Sequence, residues 1–308
     1  MNRDAAMILL FLFFTGFFLI SCEDNSSDLE KEKEMRLLEQ YLELNNIQVE
    51  PESNGLYFIP RNEGSGITPL NDDWVIISYT GKLVNNTIFD STDEEIARKE
   101  NVYSSSVIYG DRRMDFNTFK VKGVYEGLRL MKEGAEATLI IPSQLGYGSE
   151  SSGIVPPYST LIYDIKLVKV IKDPVAYEQE LIDDYISLYT DSTHLAVEEK
   201  ESGIYYIELF SGTGDTTPGD STQASIFYRG MLTDGREFDT NIGDETFDFI
   251  IGQNSAIRGF EEGVKLMKKD GKSRIIIPSS LGYGVEGSGN KIPGYTPLVF
   301  DLELTDFQ

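Results

Sequence analysis

The feature that most constrains this 308-residue chain is that part of it is written twice. Ile140-Ile141-Pro142-Ser143-Gln144-Leu145-Gly146-Tyr147-Gly148 returns as Ile276-Ile277-Pro278-Ser279-Ser280-Leu281-Gly282-Tyr283-Gly284, and earlier in each copy Tyr79 and Phe89-Asp90 return as Tyr228 and Phe238-Asp239. Two separated matches in the same order require two copies of one folding unit. The offset between copies falls from 149 at Tyr79/Tyr228 to 136 at Tyr147/Tyr283, so the first copy carries 13 additional residues between these points. They fall in the charged, serine-rich stretch 91–109. At roughly 150 residues per domain, the length also fits two domains, each able to bury its own core.

Each copy follows an acidic segment with helical spacing. Leu37, Leu38, Tyr41 and Leu42 recur at that spacing before the first copy, and Leu181, Ile182, Tyr185, Ile186 and Tyr189 do so before the second. Asp173-Pro174 supplies an N-cap and a proline at the first helical position. Within a copy the pattern is mostly antiparallel β. Residues 224–232 and 236–238 flank Asp234-Gly235, a dipeptide suited to a tight hairpin turn, and residues 272–278 and 298–304 supply later strands. Phe260, Val264 and Met267 predict one short amphipathic helix against the sheet, with Val124, Leu128 and Met131 equivalent in the first copy. The fold class expected is α+β.

Composition narrows the chemistry. One histidine, His194, and one cysteine, Cys22, allow no His-rich metal cluster, no CxxC and no intrachain disulfide. No metal and no cofactor are expected. With 51 Asp+Glu against 27 Lys+Arg the net charge is −24, which argues against a nucleic-acid partner, since binding phosphates needs a basic surface. His194 falls in the linker and reads as solvated, and Trp74 reads as packing. The glycine-rich runs 211–219 and 282–289 lack the Lys-Ser/Thr of a phosphate loop and read as turns.

Arg3 and the apolar run 5–20 have the pattern of a secretory signal, and the run is shorter than the ~20 apolar residues of a comfortable membrane span. Leu19-Ile20-Ser21-Cys22 resembles the bacterial lipobox, which implies acylation of Cys22 and a lipid anchor. Glu23, Asp24 and Asp28 follow and resemble the surface-export tag of Bacteroidetes lipoproteins, although any polar tether has this look. The localisation expected is the cell envelope, anchored to a bacterial membrane, the outer one favoured and its face undecided. The domain organisation expected is a signal at 1–21, an acidic tether and helix at 22–46, a first domain at 47–171 with its insertion at 91–109, a linker helix at 172–200 and a second domain at 201–308.

Three separated segments of the second copy carry a resemblance: residues 255–264, with Ala256-Ile257 and Gly259-Phe260; Leu281-Gly282-Tyr283-Gly284; and residues 297–304, from Pro297-Leu298 to Leu304. Together they closely resemble the FKBP-type peptidyl-prolyl cis-trans isomerases. The resemblance implies two FKBP-like domains, each a twisted antiparallel sheet wrapped on a short helix, with an apolar pocket that accepts a Xaa-Pro segment. Carried over by position, the second pocket comprises Tyr228, Phe238, Asp239, Phe247, Ala256, Ile257, Phe260, Tyr283, Ile292 and Phe300. Phe260 is its floor, where the family often has tryptophan, and Asp239 is its carboxylate. The first pocket comprises Tyr79, Phe89, Asp90, Val121, Val124, Tyr147, Val155 and Tyr163. There the floor is only Val124, and Lys120 stands where an apolar residue meets ligand, so the first pocket is expected to be weaker or inactive. From spacing alone the aromatics read first as core packing. The assembled motif makes them a pocket.

Such a pocket needs no histidine, cysteine or metal. Rotation about a peptide bond faces a barrier of about 18–20 kcal/mol set by resonance. An aromatic cage that dries the amide, with a few fixed donors, is suited to lowering it. The partners expected are proline-containing stretches of unfolded or exported polypeptides. The competing function is a non-catalytic binding module or holdase, since two linked weak sites gain avidity.

Overall fold

The computed structural model describes residues 24–308. Cys22, the lipobox and the apolar run therefore lie outside the described residues. The elements in order are α1 (Asp24–Leu44), β1 (Tyr57–Asn62), β2 (Trp74–Leu83), β3 (Ile88–Ser91), α2 (Glu94–Lys99), β4 (Arg112–Asp115), α3 (Lys122–Leu128), β5 (Glu136–Ile141) and β6 (Leu161–Ile171). There follow α4 (Pro174–Thr193), β7 (Glu198–Glu199), β8 (Tyr205–Phe210), β9 (Gln223–Leu232), β10 (Glu237–Thr240), β11 (Phe247–Ile250), α5 (Arg258–Val264), β12 (Lys272–Ile277) and β13 (Leu298–Phe307). Among the described residues no helix is long and apolar enough to cross a membrane.

The repeat seen in the sequence is a repeat of topology. The first sheet runs β1-β5-β6-β2-β3 with β4 also paired to β2; the second runs β8-β12-β13-β9-β10 with β11 paired to β9 and β7 added beyond β8. All the pairings are antiparallel. The α+β class and the two FKBP-like units are as the sequence implied. The Asp234-Gly235 hairpin forms where expected, with Gly235 at φ +86° and the Gly235 amide donating to Leu232 O at 3.0 Å. Each short helix presses on its own sheet, with Val124 and Leu128 buried in the first and Phe260 and Val264 in the second. Met131 and Met267 are also buried, but just past the helix ends.

The acidic helices pack on the opposite faces of these sheets. In α1, Leu38 packs with Ile140 and Ile162. In α4, Ile182 packs with Met231, Ile276 and Val299. Asp173 caps α4 by accepting from the Val175 and Ala176 amides, both at 3.0 Å, and His194 ends it, exposed and in the left-handed region at φ 59°. Each helix also sends one carboxylate inward. Glu34, buried, accepts from the Ser143 amide at 2.6 Å and Thr160 Oγ1 at 2.9 Å, as well as from Ser143 Oγ. Glu178, buried likewise, accepts from the Ser279 amide and from Ser279 Oγ at 2.7 Å. These serines open the turns that lead to Tyr147 and Tyr283. A buried carboxylate is tolerable only with such a full set of donors.

Candidate active site

In the second domain four strands and α5 bring six rings into one cluster. Phe260 rises from α5 and meets Tyr228 edge-on at 5.7 Å between centroids, Phe300 at 5.2 Å and Phe247 at 6.4 Å; Phe238 meets Phe300 edge-on at 5.5 Å. Edge-to-face pairs of this kind add about 0.5–1.5 kcal/mol each beyond burial. Phe249, which sequence reasoning missed, stacks on Phe247 at 5.1 Å and meets Phe260 at 5.9 Å. Its signal was present: Phe247 and Phe249 stand two apart on β11, so both side chains face one side of the strand. Ile292 is buried in the same cluster, with Ala256 and Ile257 packed against it. Two aromatic positions are therefore filled through the fold's own register.

Gly230 was also missed. A Cβ there would lie 2.6 Å from Phe238 and 2.9 Å from Phe300, so only glycine lets the two rings close over β9. Gly81 does the same beneath Phe89. The sequence signal is the shared Tyr-x-Gly in Tyr79-Thr80-Gly81 and Tyr228-Arg229-Gly230.

The polar groups of the second site gather at its mouth. Tyr228 donates to Asp239 Oδ2 at 2.7 Å. Burial and that hydrogen bond hold the Tyr228 phenol well above its usual range. Tyr283 is 38% exposed; burial of its remainder, and then the Asp239 charge, push its phenol up as well. Both hydroxyls therefore stay protonated and able to donate at neutral pH. Ile257 stands at the N-cap of α5 in extended backbone. Lys291 donates to Phe238 O at 2.8 Å, tying the loop that carries Ile292 to the strand that carries Phe238.

The first site has the same frame with different filling. Tyr79 donates to Asp90 Oδ2 at 2.6 Å, and Tyr163 meets Tyr79 at 5.5 Å and Phe89 at 5.6 Å. Val121, Val124 and Val155 are buried, with Tyr147 packed against the same cluster. Strand register identifies what has changed. Ile77 pairs with Arg112, whereas its counterpart Ile226 pairs with Phe247; Val75 pairs with Met114, whereas Ala224 pairs with Phe249. An arginine thus occupies the place of one ring and a methionine that of another. The Arg112 guanidinium donates to the Tyr79 hydroxyl at 2.9 Å. Lys120, the cation expected to disturb this pocket, is exposed. Burial, followed by the Asp90 charge, raises the Tyr79 phenol far above its usual value, and burial followed by Tyr147 raises Tyr163.

A family model of the FKBP-type peptidyl-prolyl cis-trans isomerases matches residues 66–168 and 214–305. This chain belongs to that family, twice over. It is 30% identical over 239 residues to peptidyl-prolyl cis-trans isomerase FKBP9 of Homo sapiens, covering 76% of this chain and 35% of that protein. It is 44% identical over 93 residues to FK506-binding protein 2 of Dictyostelium discoideum, covering 30% of this chain and 68% of that protein. Among solved structures, FkpA from Escherichia coli is 32% identical, with a TM-score of 0.38, over 44% of this chain and 61% of that one. The chain spans about a third of the length of the human relative.

Proposed function

We propose that this chain accelerates cis/trans isomerisation of Xaa-Pro bonds and that its second domain carries most of the activity. The observation that carries this reading is the cage built on Phe260, with rings from Tyr228, Phe238, Phe247 and Phe300 and the side chain of Ile292. A proline ring held there leaves its amide carbonyl in a dry environment, which favours the less dipolar twisted state. In this reading the Tyr283 hydroxyl and the Ile257 amide donate to the flanking carbonyls, holding the chain in a turn close to the twisted geometry. No bond to the protein forms in this scheme.

The test is exchange spectroscopy on a Xaa-Pro tetrapeptide with the full chain. Acceleration that disappears in Phe238→Ala and survives Phe89→Ala supports the reading. Absence of acceleration, or acceleration indifferent to Phe238, overturns it. For the first domain, Arg112 within the aromatic frame favours a second reading, binding without turnover, which with the second site gives the chain two linked holds on one unfolded client. Protection of a denatured client against aggregation in the Phe238→Ala chain, lost on further Phe89→Ala substitution, is the result expected.

We further propose that Cys22 is acylated and holds both domains at a bacterial envelope, where exported polypeptides are the clients. The support is the Leu-Ile-Ser-Cys motif and the placement there of the chain's one cysteine. Incorporation of labelled fatty acid, absent in Cys22→Ala, tests it.

A further inference from the structure

The 13 residues that distinguish the first copy do not end in solvent. From the segment they lengthen, Ile108 packs against the apolar cluster of the second domain that contains Phe238, Phe260, Ile292 and Phe300. Beside it, a cavity of about 260 Å³ is shared between the domains, lined by Tyr103, Ile108 and Tyr109 on one side and Arg236, Glu237 and Lys291 on the other. Those last three are chain neighbours of Phe238 and Ile292. Arg236 Nη1 donates to Tyr109 O at 2.7 Å, and a Cβ on Gly110 would come within 2.8 Å of that same nitrogen.

The segment is tied together by contacts of its own. Asp93 caps α2 through the Ile96 amide at 3.0 Å. The Arg98 guanidinium lies 3.6 Å over the Tyr103 ring, Tyr103 stacks on Tyr109 at 5.3 Å, and the Ser104 amide donates to the Tyr109 hydroxyl at 2.9 Å. A second contact grips the far end of the loop carrying Ile292. Arg113 donates to Gly294 O at 3.0 Å and to Thr296 Oγ1, and Trp74 meets Tyr295 edge-on at 5.5 Å. A Cβ on Gly294 would meet the Val285 carbonyl first and then, at 2.8 Å, the Trp74 indole. The first domain thus touches the second site's rim at two places, Arg236 in the turn before Phe238 and residues 294–296 just past Ile292.

We infer that residues 103–109 of the first domain form one wall of the second domain's proline site, with Ile108 contacting the substrate residue beside the proline. The second site is then a composite of both domains, and Ile108 helps set which residue it takes beside the proline. The charged groups that line this cavity each have a partner of their own, Glu94 with Arg98 at 2.6 Å among them. Arg236 is paired with Asp234 at 2.6 Å and Glu237 with Arg229 at 2.7 Å, and Lys291 is spent on Phe238 O.

This inference rests on the isomerase reading of the second pocket. The experiment therefore measures kcat/KM of the full chain on two Xaa-Pro peptides that differ only in a leucine or a glutamate next to the proline. Wild type is expected to favour the leucine peptide, Ile108→Ala to lose that preference about fivefold, and Ile108→Lys to tilt it towards glutamate. Because Ile108 is only half-buried, both variants are expected to keep the fold, which amide chemical shifts check. A merely structural role for Ile108 moves both peptides together and leaves their ratio unchanged. An unchanged ratio in both variants, in a chain whose activity still depends on Phe238, overturns the inference alone. Wild-type chain inactive on both peptides, or active without need of Phe238, overturns the isomerase reading and this inference with it.

Discussion

The two candidate sites of this molecule sit on sheets with the same strand order and matching register, yet only the second is built on a phenylalanine floor. Phe247, Phe249, Phe260 and Phe300 in the second domain become Arg112, Met114, Val124 and Tyr163 in the first, while the Tyr–Asp pair at the mouth is kept in both, at 2.7 and 2.6 Å. The frame is held by other residues: the glycines beneath Phe89 and Phe238, the buried faces of α3 and α5, and the buried carboxylates of α1 and α4. Frame and filling are therefore separable. A domain of this kind can lose the cage without losing the fold, and its surface can take up another task, as the 91–109 segment does.

The comparison breaks most readily at the floor. Phe260→Ala is expected to destabilise the second domain by about 3–5 kcal/mol in chemical denaturation, as loss of a buried ring usually does, whereas Val124→Ala costs the first domain clearly less. Equal costs would mean that the two floors bear the same weight. At the wall, Phe238→Ala should lower kcat/KM at least about tenfold, near 1.4 kcal/mol of transition-state stabilisation, with Phe89→Ala changing it less than about twofold. Tyr283→Phe removes one hydroxyl donor. A loss of about two- to tenfold is expected, the size of a single neutral hydrogen bond, and none from Tyr147→Phe. A chain in which the two tyrosines matter equally would erase the functional difference between the domains.

Sharpening the comparison takes a gain rather than a loss. Arg112→Phe, in a Phe238→Ala chain, restores a ring at the first site and is expected to raise residual peptide binding about threefold. Smallest is the effect of pH. Because the Tyr283 phenol titrates above its ordinary value, kcat/KM should stay level between about pH 6 and 9. The raised phenols of Tyr79, Tyr163 and Tyr228 contribute stability that is fully present below the unfolded tyrosine pKa of about 10 and is lost as pH rises through their folded values, so melting temperature falls only above that point.

The sequence made the second cage legible because its residues stand in short, separated motifs whose order is repeated. Phe249, Gly81 and Gly230 were less visible because their roles depend on what lies across a strand or beneath a ring, a relation that chain spacing does not carry. Arg112 was harder still. The offset falls from 149 at Tyr79/Tyr228 to 135 at Arg112/Phe247, and only the pairing of Ile77 with Arg112 and of Ile226 with Phe247 aligns them. The Ile108 contact joins residues more than a hundred positions apart in chain order, between two copies that each look self-sufficient on paper. Glu34 and Glu178 were hidden in plain charge. On an acidic helix nothing local separates the one carboxylate that turns inward from its solvated neighbours, although Glu34-Leu38-Tyr41 and Glu178-Ile182-Tyr185 share one spacing.

Those inward carboxylates also fix where the molecule can be cut. A fragment starting after α4, at the apparent edge of the second sheet, exposes Met231, Ile276 and Val299 and strands the Ser279 amide and hydroxyl without their acceptor, just ahead of Tyr283. The smallest piece of the second half that keeps its own sheet covered begins instead at Asp173, with the capped helix aboard, and it leaves the Ile108 contact behind. Engineering, crystallisation or grafting of this domain is best drawn around that boundary.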